Sequence, residues 1–539
     1  EIRKKVLKLL KEYSQYNTKL KDYNPFDMLK SYDFFDSEIM FGIDSFDIVI
    51  GNPPYVSNKE IKNKDMVNYK KLYGIQDDLY YYFYIKGIKL LEDKGILSYI
   101  SSNSFLTIQS KKGLRELLQG KHLLEIINTG NVFEHAEVEP AIVTLINEDL
   151  NNYEFNYSDN TKEDNPVSEN NSIKINVDIF INSPNSIFFT PNEFNMRLYN
   201  KFVKEASVLI NQKWNLIKTS RDIEKNQSAL QNYRNSLKEG DITLLGLITE
   251  GGQGLATANN GKYVGIIENT KDAERVYNQR LEKIKYFNKE YNTNYDISKM
   301  KEKEIRELFD LLKEKHGRDI FGQGFIYRIV SKNEIADINN LSKDEKENGI
   351  ENKKSFVPYD KGDKEGNKWY SPTVFAIDWS KNNVDILKKD TKARWQGYNF
   401  FFKSGFTWNL INGTRFTNDL KFKISNNSVN DVGGMTMLNL CSKTSEKFII
   451  CICNSNLINR YTEAFINCTV NFQLNDARQI PIIIPNKKQL KQAEILFDRG
   501  KDIKEKRINN LISEEQEQKE LKKLQEEVDG FVCELYGIN

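Results

Sequence analysis

Histidine and cysteine are scarce in this chain, which limits the chemistry that it can perform. Its 539 residues include three histidines and five cysteines, and no two cysteines have the Cys-x-x-Cys spacing of a zinc site. Cys451 and Cys453 alternate within an apolar run that predicts a strand, so we expect buried free thiols there. The shortage of histidine argues against a histidine-based metal centre and against a Ser-His-Asp triad. We therefore expect no metal.

Long apolar runs are missing as well. No run approaches the ~20 residues that span a membrane, and the charged, helix-like opening segment has no secretory signal. We expect a cytoplasmic protein without membrane contact. The first residue is Glu1, and we expect the chain to be the remainder of a longer protein. A formal net charge of +2 leaves nucleic acid open as a partner, because local charge counts for more than the sum.

The order of predicted elements indicates an α/β architecture in the first part of the chain. Residues 46–51 are almost wholly apolar, as expected of a strand that is covered on both faces. Helices and strands then alternate, with a helix predicted over 77–94 and a solvated helix pair over 270–316. The predicted domains are a catalytic part, a linker with a helical connector, a recognition region and a helical tail, over residues 1–150, 151–243, 244–485 and 486–539.

The strand at 46–51 runs directly into Asn52-Pro53-Pro54-Tyr55, which suits methylation of an amino group on a planar substrate. The lone pair of such a nitrogen is delocalised into the ring, so a catalyst must accept both N–H bonds to favour a tetrahedral nitrogen. Asn52 offers its side-chain oxygen and Pro53 its backbone carbonyl, while the prolines fix the backbone and remove competing donors. Tyr55 offers a ring on which a flipped base can stack. The alternative is an ordinary turn after a strand.

These residues resemble a known family. Residues 46–56, FDIVIGNPPYV, are similar to motif IV of the gamma-class adenine-specific DNA methyltransferases. Later segments resemble the following elements of that family in the same order: Asp78-Leu79-Tyr80, the run 95–105, Leu114-Arg115-Glu116-Leu117-Leu118 and the segment 132–146. Within the last segment the resemblance carries over to Phe133, as the aromatic residue that packs against the flipped base.

The resemblance extends beyond the catalytic part. Five segments are similar to the recognition region of type IIG restriction–modification enzymes and of bacteriophage-exclusion methyltransferases, namely residues 247–265, 357–362, 368–370, 405–408 and 454–482. This implies a partial Rossmann-like methyltransferase domain with a doubly wound sheet, followed by an α+β target-recognition domain and a helical tail. The implied reaction transfers a methyl group from S-adenosylmethionine to N6 of a flipped adenine in double-stranded DNA. Other restriction or phage-defence subunits are candidate partners.

One feature of the family is missing from these residues. Its members bind S-adenosylmethionine with a glycine-rich loop, Phe-x-Gly-x-Gly, upstream of motif IV, whereas Gly42 is the only glycine in residues 1–45. We therefore expect the donor-binding half to be absent from this chain or supplied by another polypeptide, which would leave the chain inactive alone. No nuclease active site is predicted either.

Two segments of the recognition region hold candidate DNA contacts. A glycine-rich loop allows close approach to a phosphate backbone, and its hydrogen-bonding residues are Gln253, Thr257, Asn260 and Lys262. A later segment mixes basic and aromatic residues and offers Arg394 and Lys403. The alternatives are a surface turn for the loop and core strands for the aromatic residues. The glycine loop does not fit the GxxxxGK[ST] pattern of a nucleotide-binding loop.

Two other functions remain open from the sequence. The same Asn-Pro-Pro-Tyr device serves methyltransferases that modify a glutamine side chain or an RNA base, but the long region after residue 150 argues against them. A DNA-binding or specificity module without catalysis is favoured by the missing glycine-rich loop.

Overall fold

A computed structural model of the protein divides into two units of unequal size. The first unit is Glu1–Ile181 with Ser186–Pro191, and the second is Asn182–Asn185 with Asn192–Asn539. The structure describes residues 2–13, 23–27, 30, 37–130, 132, 139–168, 170–317, 327–351, 354–362, 366–409, 420–467 and 471–538. In this part of the chain no helix is long and apolar enough to cross a membrane.

The first unit is built on a six-stranded mixed sheet. Its strands, in chain order, are β1 (Phe46–Gly51), β2 (Leu91–Ser102), β3 (Lys121–Asn128), β4 (Pro140–Asp149), β5 (Glu154–Asp159) and β6 (Ile173–Asn176). The spatial order is β1-β2-β4-β3-β5-β6. Strand β1 is parallel to β2 and β3 is parallel to β5, whereas β4 runs antiparallel between β2 and β3. Helices accompany this sheet, so the α/β prediction is confirmed.

Six α-helices belong to the described part of the first unit: α1 (Ile2–Tyr13), α2 (Ser37–Phe41), α3 (Asn63–Tyr73), α4 (Leu79–Leu90), α5 (Lys112–Gln119) and α6 (Asp178–Ile181). Helix α3 ends at Gly74, whose left-handed φ of 73° forms the C-cap. Helix α4 buries five of its tyrosine and isoleucine side chains, and α5 buries Leu114 and Leu118 completely. The predicted helix over 77–94 was too long, because the strand β2 already begins at Leu91.

Strand β1 differs from the prediction of a strand buried on both faces. Among the residues that the structure describes, β1 pairs with β2 on one side and lies at the edge of the sheet. Ile48 is 61% exposed and Ile50 is 80% exposed. The prediction was wrong for these residues because the apolar composition of a strand does not show whether anything covers it. An apolar edge strand is a template for pairing with another strand.

The second unit, as far as its residues are described, contains three sheets. Its strands are β7 (Ile242–Leu244), β8 (Thr249–Gly252), β9 (Val264–Ile267), β10 (Arg328–Val330), β11 (Phe356–Asp360), β12 (Phe375–Asp378), β13 (Phe406–Asn409), β14 (Phe422–Ile424), β15 (Val429–Asn430), β16 (Gly434–Asn439) and β17 (Pro481–Ile483). The sheet orders are β10-β9-β12-β11-β15, β14-β13-β16-β8 and β17-β7. Trp379 and Trp408 are completely buried in this unit.

The helices of the second unit are α7 (Glu193–Leu198), a π-helix (Tyr199–Val203), α8 (Lys204–Ile217), α9 (Ser220–Lys225), α10 (Gln227–Ser236), α11 (Leu245–Ile248), α12 (Asn260–Tyr263), α13 (Lys271–Tyr291), α14 (Glu302–His316), α15 (Lys343–Asn348), α16 (Lys381–Lys389), α17 (Glu446–Cys453), α18 (Asn456–Phe465), α19 (Leu474–Ala477), α20 (Lys487–Ile508) and α21 (Glu514–Tyr536). The insertion at 270–316 forms α13 and α14, which share their own apolar core.

Cys451 and Cys453 lie in helix α17, so the predicted strand was wrong there. Ser445 caps the helix by accepting a hydrogen bond from the backbone N–H of Phe448. Every residue from Phe448 to Cys453 is buried. A helix that is apolar on all sides has no amphipathic period, and its sequence therefore looks like a buried strand. Both thiols are buried and free.

The division into two units falls inside the segment predicted as a linker. Strands β5 and β6 extend the first sheet, while α7 to α10 belong to the second unit. Strand β17 pairs with β7, so the two ends of the predicted recognition region meet. The predicted tail consists of α20 and α21, which are joined by an ion pair of 2.6 Å between Lys504 Nζ and Glu517 Oε1. The predicted domain limits remain predictions.

Candidate active site and recognition loops

The Asn-Pro-Pro-Tyr segment directly follows β1, at the edge of the first sheet where this strand has its carboxyl end. Strands β1, β2, β3 and β5 all run in the same direction, so their carboxyl ends lie at this edge. Asn52 and Pro54 are exposed, Pro53 is buried and Tyr55 is half-buried. The exposed amide of Asn52 is available to a substrate, and the carboxyl edge of a parallel array is where ligands bind in open α/β sheets.

The loop after β1 is tied to the start of helix α4. The backbone N–H of Leu79 donates to the carbonyl of Val56 at 3.0 Å. The backbone N–H of Asn58 donates to Asp78 Oδ1 at 2.8 Å. Within the loop, the Val56 N–H donates to the Pro54 carbonyl at 3.0 Å. The backbone that carries Asn52 and Pro53 is therefore held by contacts on its C-terminal side.

A row of polar side chains at the same carboxyl edge was not predicted from the sequence. Ser101 lies near the end of strand β2 and Ser104 just after it, and they share hydrogen bonds of 3.1 and 3.2 Å with the hydroxyls of Tyr84 and Tyr80. Asn103 Nδ2 donates to Asn128 Oδ1 of β3 at 3.1 Å. The signal for these residues was present, since the run Ser101-Ser102-Asn103-Ser104 directly follows an apolar strand.

The tyrosines of this edge remain protonated at neutral pH. Partial burial raises the pKa of Tyr55 above its ordinary value. Burial also raises the pKa of Tyr81 to about 12, and it raises the pKa of Tyr80 and Tyr84 as well. A general base works best with a pKa near the working pH, so these phenols do not suit that role. The edge is suited to hydrogen bonding and to positioning.

Phe133, the second predicted aromatic contact to a flipped base, lies outside the described residues. The part of the chain that the structure describes holds no group of three or more His, Cys, Asp or Glu side chains that could bind a metal ion.

In the second unit the two predicted DNA-binding segments lie side by side. The backbone N–H of Arg394 donates to the carbonyl of Ala256 at 2.9 Å, and the return hydrogen bond is 3.2 Å. Gln396 Nε2 donates to the Gly254 carbonyl at 3.0 Å. The structure thus brings the loop of Gln253 next to the segment of Arg394, although 142 residues separate Gln396 from Gly254.

Glycine is required where the first segment meets β15 and where the two segments touch. A Cβ atom at Gly254 would lie 2.0 Å from the carbonyl oxygen of Asn430. Gly397 has a φ of +71°, and a Cβ there would lie 2.2 Å from the carbonyl oxygen of Gln253. Only a residue without a side chain fits such a close approach of two backbones.

The predicted DNA-contact residues differ in exposure. Arg394, Lys403 and Lys262 are exposed, whereas Gln253 and Asn260 are partly buried. Thr257 is 2% exposed, and its hydroxyl donates to Asn260 Oδ1 at 2.6 Å. From helix α14, Arg306 donates to the carbonyl of Gly261 at 2.6 Å and so fixes the end of this loop. The roles of these residues in binding DNA remain predictions.

Comparisons with known proteins find similarity over the first part of the chain. Residues 2–133 match the family described as Eco57I restriction-modification methylase. The chain is 30% identical over 119 residues to the type II restriction enzyme and methyltransferase RM.Eco57I of Escherichia coli, which is 20% of this chain and 12% of that protein. It is 31% identical over 107 residues to the type II methyltransferase M.BstVI of Geobacillus stearothermophilus, which is 19% of each. The chain therefore spans less than a fifth of either relative.

Among solved structures, the chain is similar to the type IIL restriction-modification enzyme MmeI, solved in complex with DNA. That likeness has 11% sequence identity and a TM-score of 0.46, and it covers 91% of this chain and 54% of MmeI. The match of residues 2–133 includes strand β1 and the whole of Asn52-Pro53-Pro54-Tyr55. Residues 2–133 of this chain are thus similar to the Eco57I restriction-modification methylase family.

Proposed function

We propose that the protein is a site-specific DNA methyltransferase that methylates adenine at N6 within a restriction–modification or phage-defence system. The observation that carries this proposal is the position of Asn52-Pro53-Pro54-Tyr55, directly after a strand at the carboxyl edge of the sheet. The exposed Asn52 amide and the rigid proline backbone fit an amino-group acceptor. A DNA substrate places the protein in the cytoplasm.

The residues of this edge act on the acceptor base. Asn52 Oδ1 and the carbonyl of Pro53 accept the two N–H bonds of the adenine amino group, which directs the nitrogen lone pair out of the ring plane. Tyr55 and Phe133 stack on the base after it has left the duplex. S-adenosylmethionine supplies the methyl group. The work of the chain is to position the acceptor rather than to remove a proton with a tuned base.

The second unit reads the DNA in this proposal. The joined segments of Gln253 and Arg394 place exposed cations beside a glycine-rich backbone, as expected where a protein approaches phosphates. Other restriction or phage-defence subunits are candidate partners.

DNA binding is expected to weaken steeply with salt, because each neutralised phosphate releases a counterion. Arg394→Ala should reduce the slope of log K against log [salt] by about one, and Lys403→Ala should do the same. The matched control is Lys343→Ala, since Lys343 is an exposed lysine of helix α15 outside these segments. Gel-shift titrations at several salt concentrations measure the slopes. Equal slopes for all four proteins would contradict the proposed surface.

The residues before β1 do not fit a complete site for S-adenosylmethionine. Residues 1–45 contain one glycine, Gly42, and the described part of them holds no strand. The apolar edge of β1, with Ile48 and Ile50 exposed, supports pairing with a further strand. We propose that this strand carries the donor-binding loop.

Calorimetry with S-adenosylmethionine tests the origin of the donor site. We expect no measurable binding to the 539-residue chain alone and clear binding to the natural protein, meaning this chain together with the polypeptide that carries the proposed strand. Ile50→Lys should abolish donor binding in the natural protein and leave the stability of the chain alone unchanged, because Ile50 is 80% exposed there. Val67→Lys is the control, since Val67 is an exposed residue of α3. Tight donor binding by the chain alone would refute this origin.

A specificity module without catalysis is the second candidate function. The exposed edge of β1 and the missing glycine-rich loop favour it. In that case the natural protein would bind DNA and transfer no methyl group.

A further inference from the structure

A buried lysine lies between two carboxylates close to the Asn-Pro-Pro-Tyr loop. Lys111 ends a short 3₁₀ turn, Gln109–Lys111, between strand β2 and helix α5. Its side chain is 7% exposed, and its Nζ contacts Asp77 Oδ1 and Asp78 Oδ2. Lysine is almost never buried to this degree unless it is paired, because an unpaired ammonium loses its hydration without compensation. The ion cluster therefore fixes the position of both aspartates.

Asp78 connects Lys111 to the loop after β1. One carboxylate oxygen of Asp78 contacts Lys111, and the other accepts the backbone N–H of Asn58 at 2.8 Å. The next residue, Leu79, donates its backbone N–H to the carbonyl of Val56 at 3.0 Å. A run of contacts thus leads from Lys111 through Asp78 to residues 56–58, which directly follow Tyr55.

The other described hydrogen bonds of this loop do not tie it to the rest of the unit. The Val56 N–H donates to the Pro54 carbonyl, and both the N–H and the hydroxyl of Ser57 donate to Glu60. These bonds join residues within 54–60, so they shape the loop without fixing its place relative to the sheet. The hydrogen bonds with Asp78 and Leu79 connect the loop to helix α4.

The same lysine also borders the polar row after β2. Lys111 Nζ lies 5.4 Å from the ring centroid of Tyr80. The hydroxyl of Tyr80 shares a hydrogen bond of 3.2 Å with Ser104. Lys111 is thus linked through Tyr80 to Ser104, which follows β2, and through Asp78 to the loop that follows β1.

We propose that Lys111 and Asp78 form a positioning pair that sets the Asn52–Tyr55 loop against the edge of the sheet. The pair touches neither the base nor the donor in this arrangement, and it acts through the backbone of residues 56–58. This inference rests on the proposed function for its effect on methyl transfer. The geometric part, control of the loop by a buried ion pair, stands independently of the substrate.

Hydrogen–deuterium exchange tests the geometric part on the 539-residue chain. Asp78→Ala removes the acceptor of the Asn58 N–H and leaves Lys111 paired with Asp77, so this variant should fold. We expect the amides of Asn58 and Leu79 to exchange at least tenfold faster than in the wild type, while β3 and β4 keep their protection. Lys111→Met should do the same where it folds. Lys112→Met, which changes a partly exposed neighbouring lysine, is the control.

Methyl transfer by the natural protein tests the consequence. For Asp78→Ala we expect kcat to fall tenfold or more, with KM for DNA within twofold, because the loop is displaced and the recognition unit is untouched. Unchanged exchange at Asn58 and Leu79 would overturn the inference, and so would a faster-exchanging loop with an unchanged kcat. If the wild-type protein binds no DNA and transfers no methyl group, the proposed function fails, and the exchange experiment still decides whether the pair positions the loop.

Discussion

Replacement of Asn52 by alanine is expected to lower methyl transfer to DNA by a hundredfold or more and to leave DNA binding within about twofold. The change removes the side-chain oxygen that accepts one N–H of the target amino group. Asn52 is exposed, so its loss should not disturb the core. The measurement is single-turnover transfer of a labelled methyl group by the natural protein, with a gel shift on the same DNA.

Asn58→Ala is the matched control for this prediction. Asn58 lies in the same loop, is exposed, and contributes its backbone N–H to Asp78, which alanine retains. Transfer by this variant should stay close to that of the wild type. If Asn52→Ala transfers methyl groups at the wild-type rate, the assignment of the loop to amino-group methylation fails.

The position of this loop could be predicted because strand and motif are adjacent in the chain. Residues 46–55 contain both the apolar strand and the polar turn, and no distant residue is needed to see them. The polar run from Ser101 to Ser104 was visible in the sequence, but its contact with Asn128 could not be predicted, since it depends on which strands are neighbours. Strand β4 inserts between β2 and β3 although it follows both in the chain.

Burial was the weaker part of the sequence-based prediction. Strand β1 and helix α17 have similar apolar compositions, yet Ile50 of β1 is 80% exposed and Ile450 of α17 is completely buried. The apolar composition of a segment shows that it can be buried, whereas its neighbours in the fold determine how much of it is buried. The contact between the Gln253 and Arg394 segments could not be predicted from such patterns either, because Gly254 and Gln396 are 142 residues apart in the chain.

Gly254→Ala should disrupt this junction and so lower both stability and DNA affinity. The new Cβ would lie 2.0 Å from the carbonyl oxygen of Asn430 and 2.6 Å from that of Asp431, and both are backbone atoms that cannot rotate away. The loop must then move, which breaks the 2.7 Å hydrogen bond from the Leu255 N–H to the Asn430 carbonyl. Overpacking of this kind costs about 1–3 kcal/mol.

We expect Gly254→Ala to bind DNA at least tenfold more weakly, because the backbone next to Gln253 and Arg394 loses its fixed place. Gly530→Ala is the control, since a Cβ at Gly530 in helix α21 meets nothing within 4 Å. In a helix that change should be neutral or stabilising by up to about 1 kcal/mol. Denaturant unfolding and gel shifts measure both variants. A folded Gly254→Ala protein with wild-type affinity would show that DNA is read elsewhere in the second unit, and the joined segments would then be a structural support rather than the contact surface.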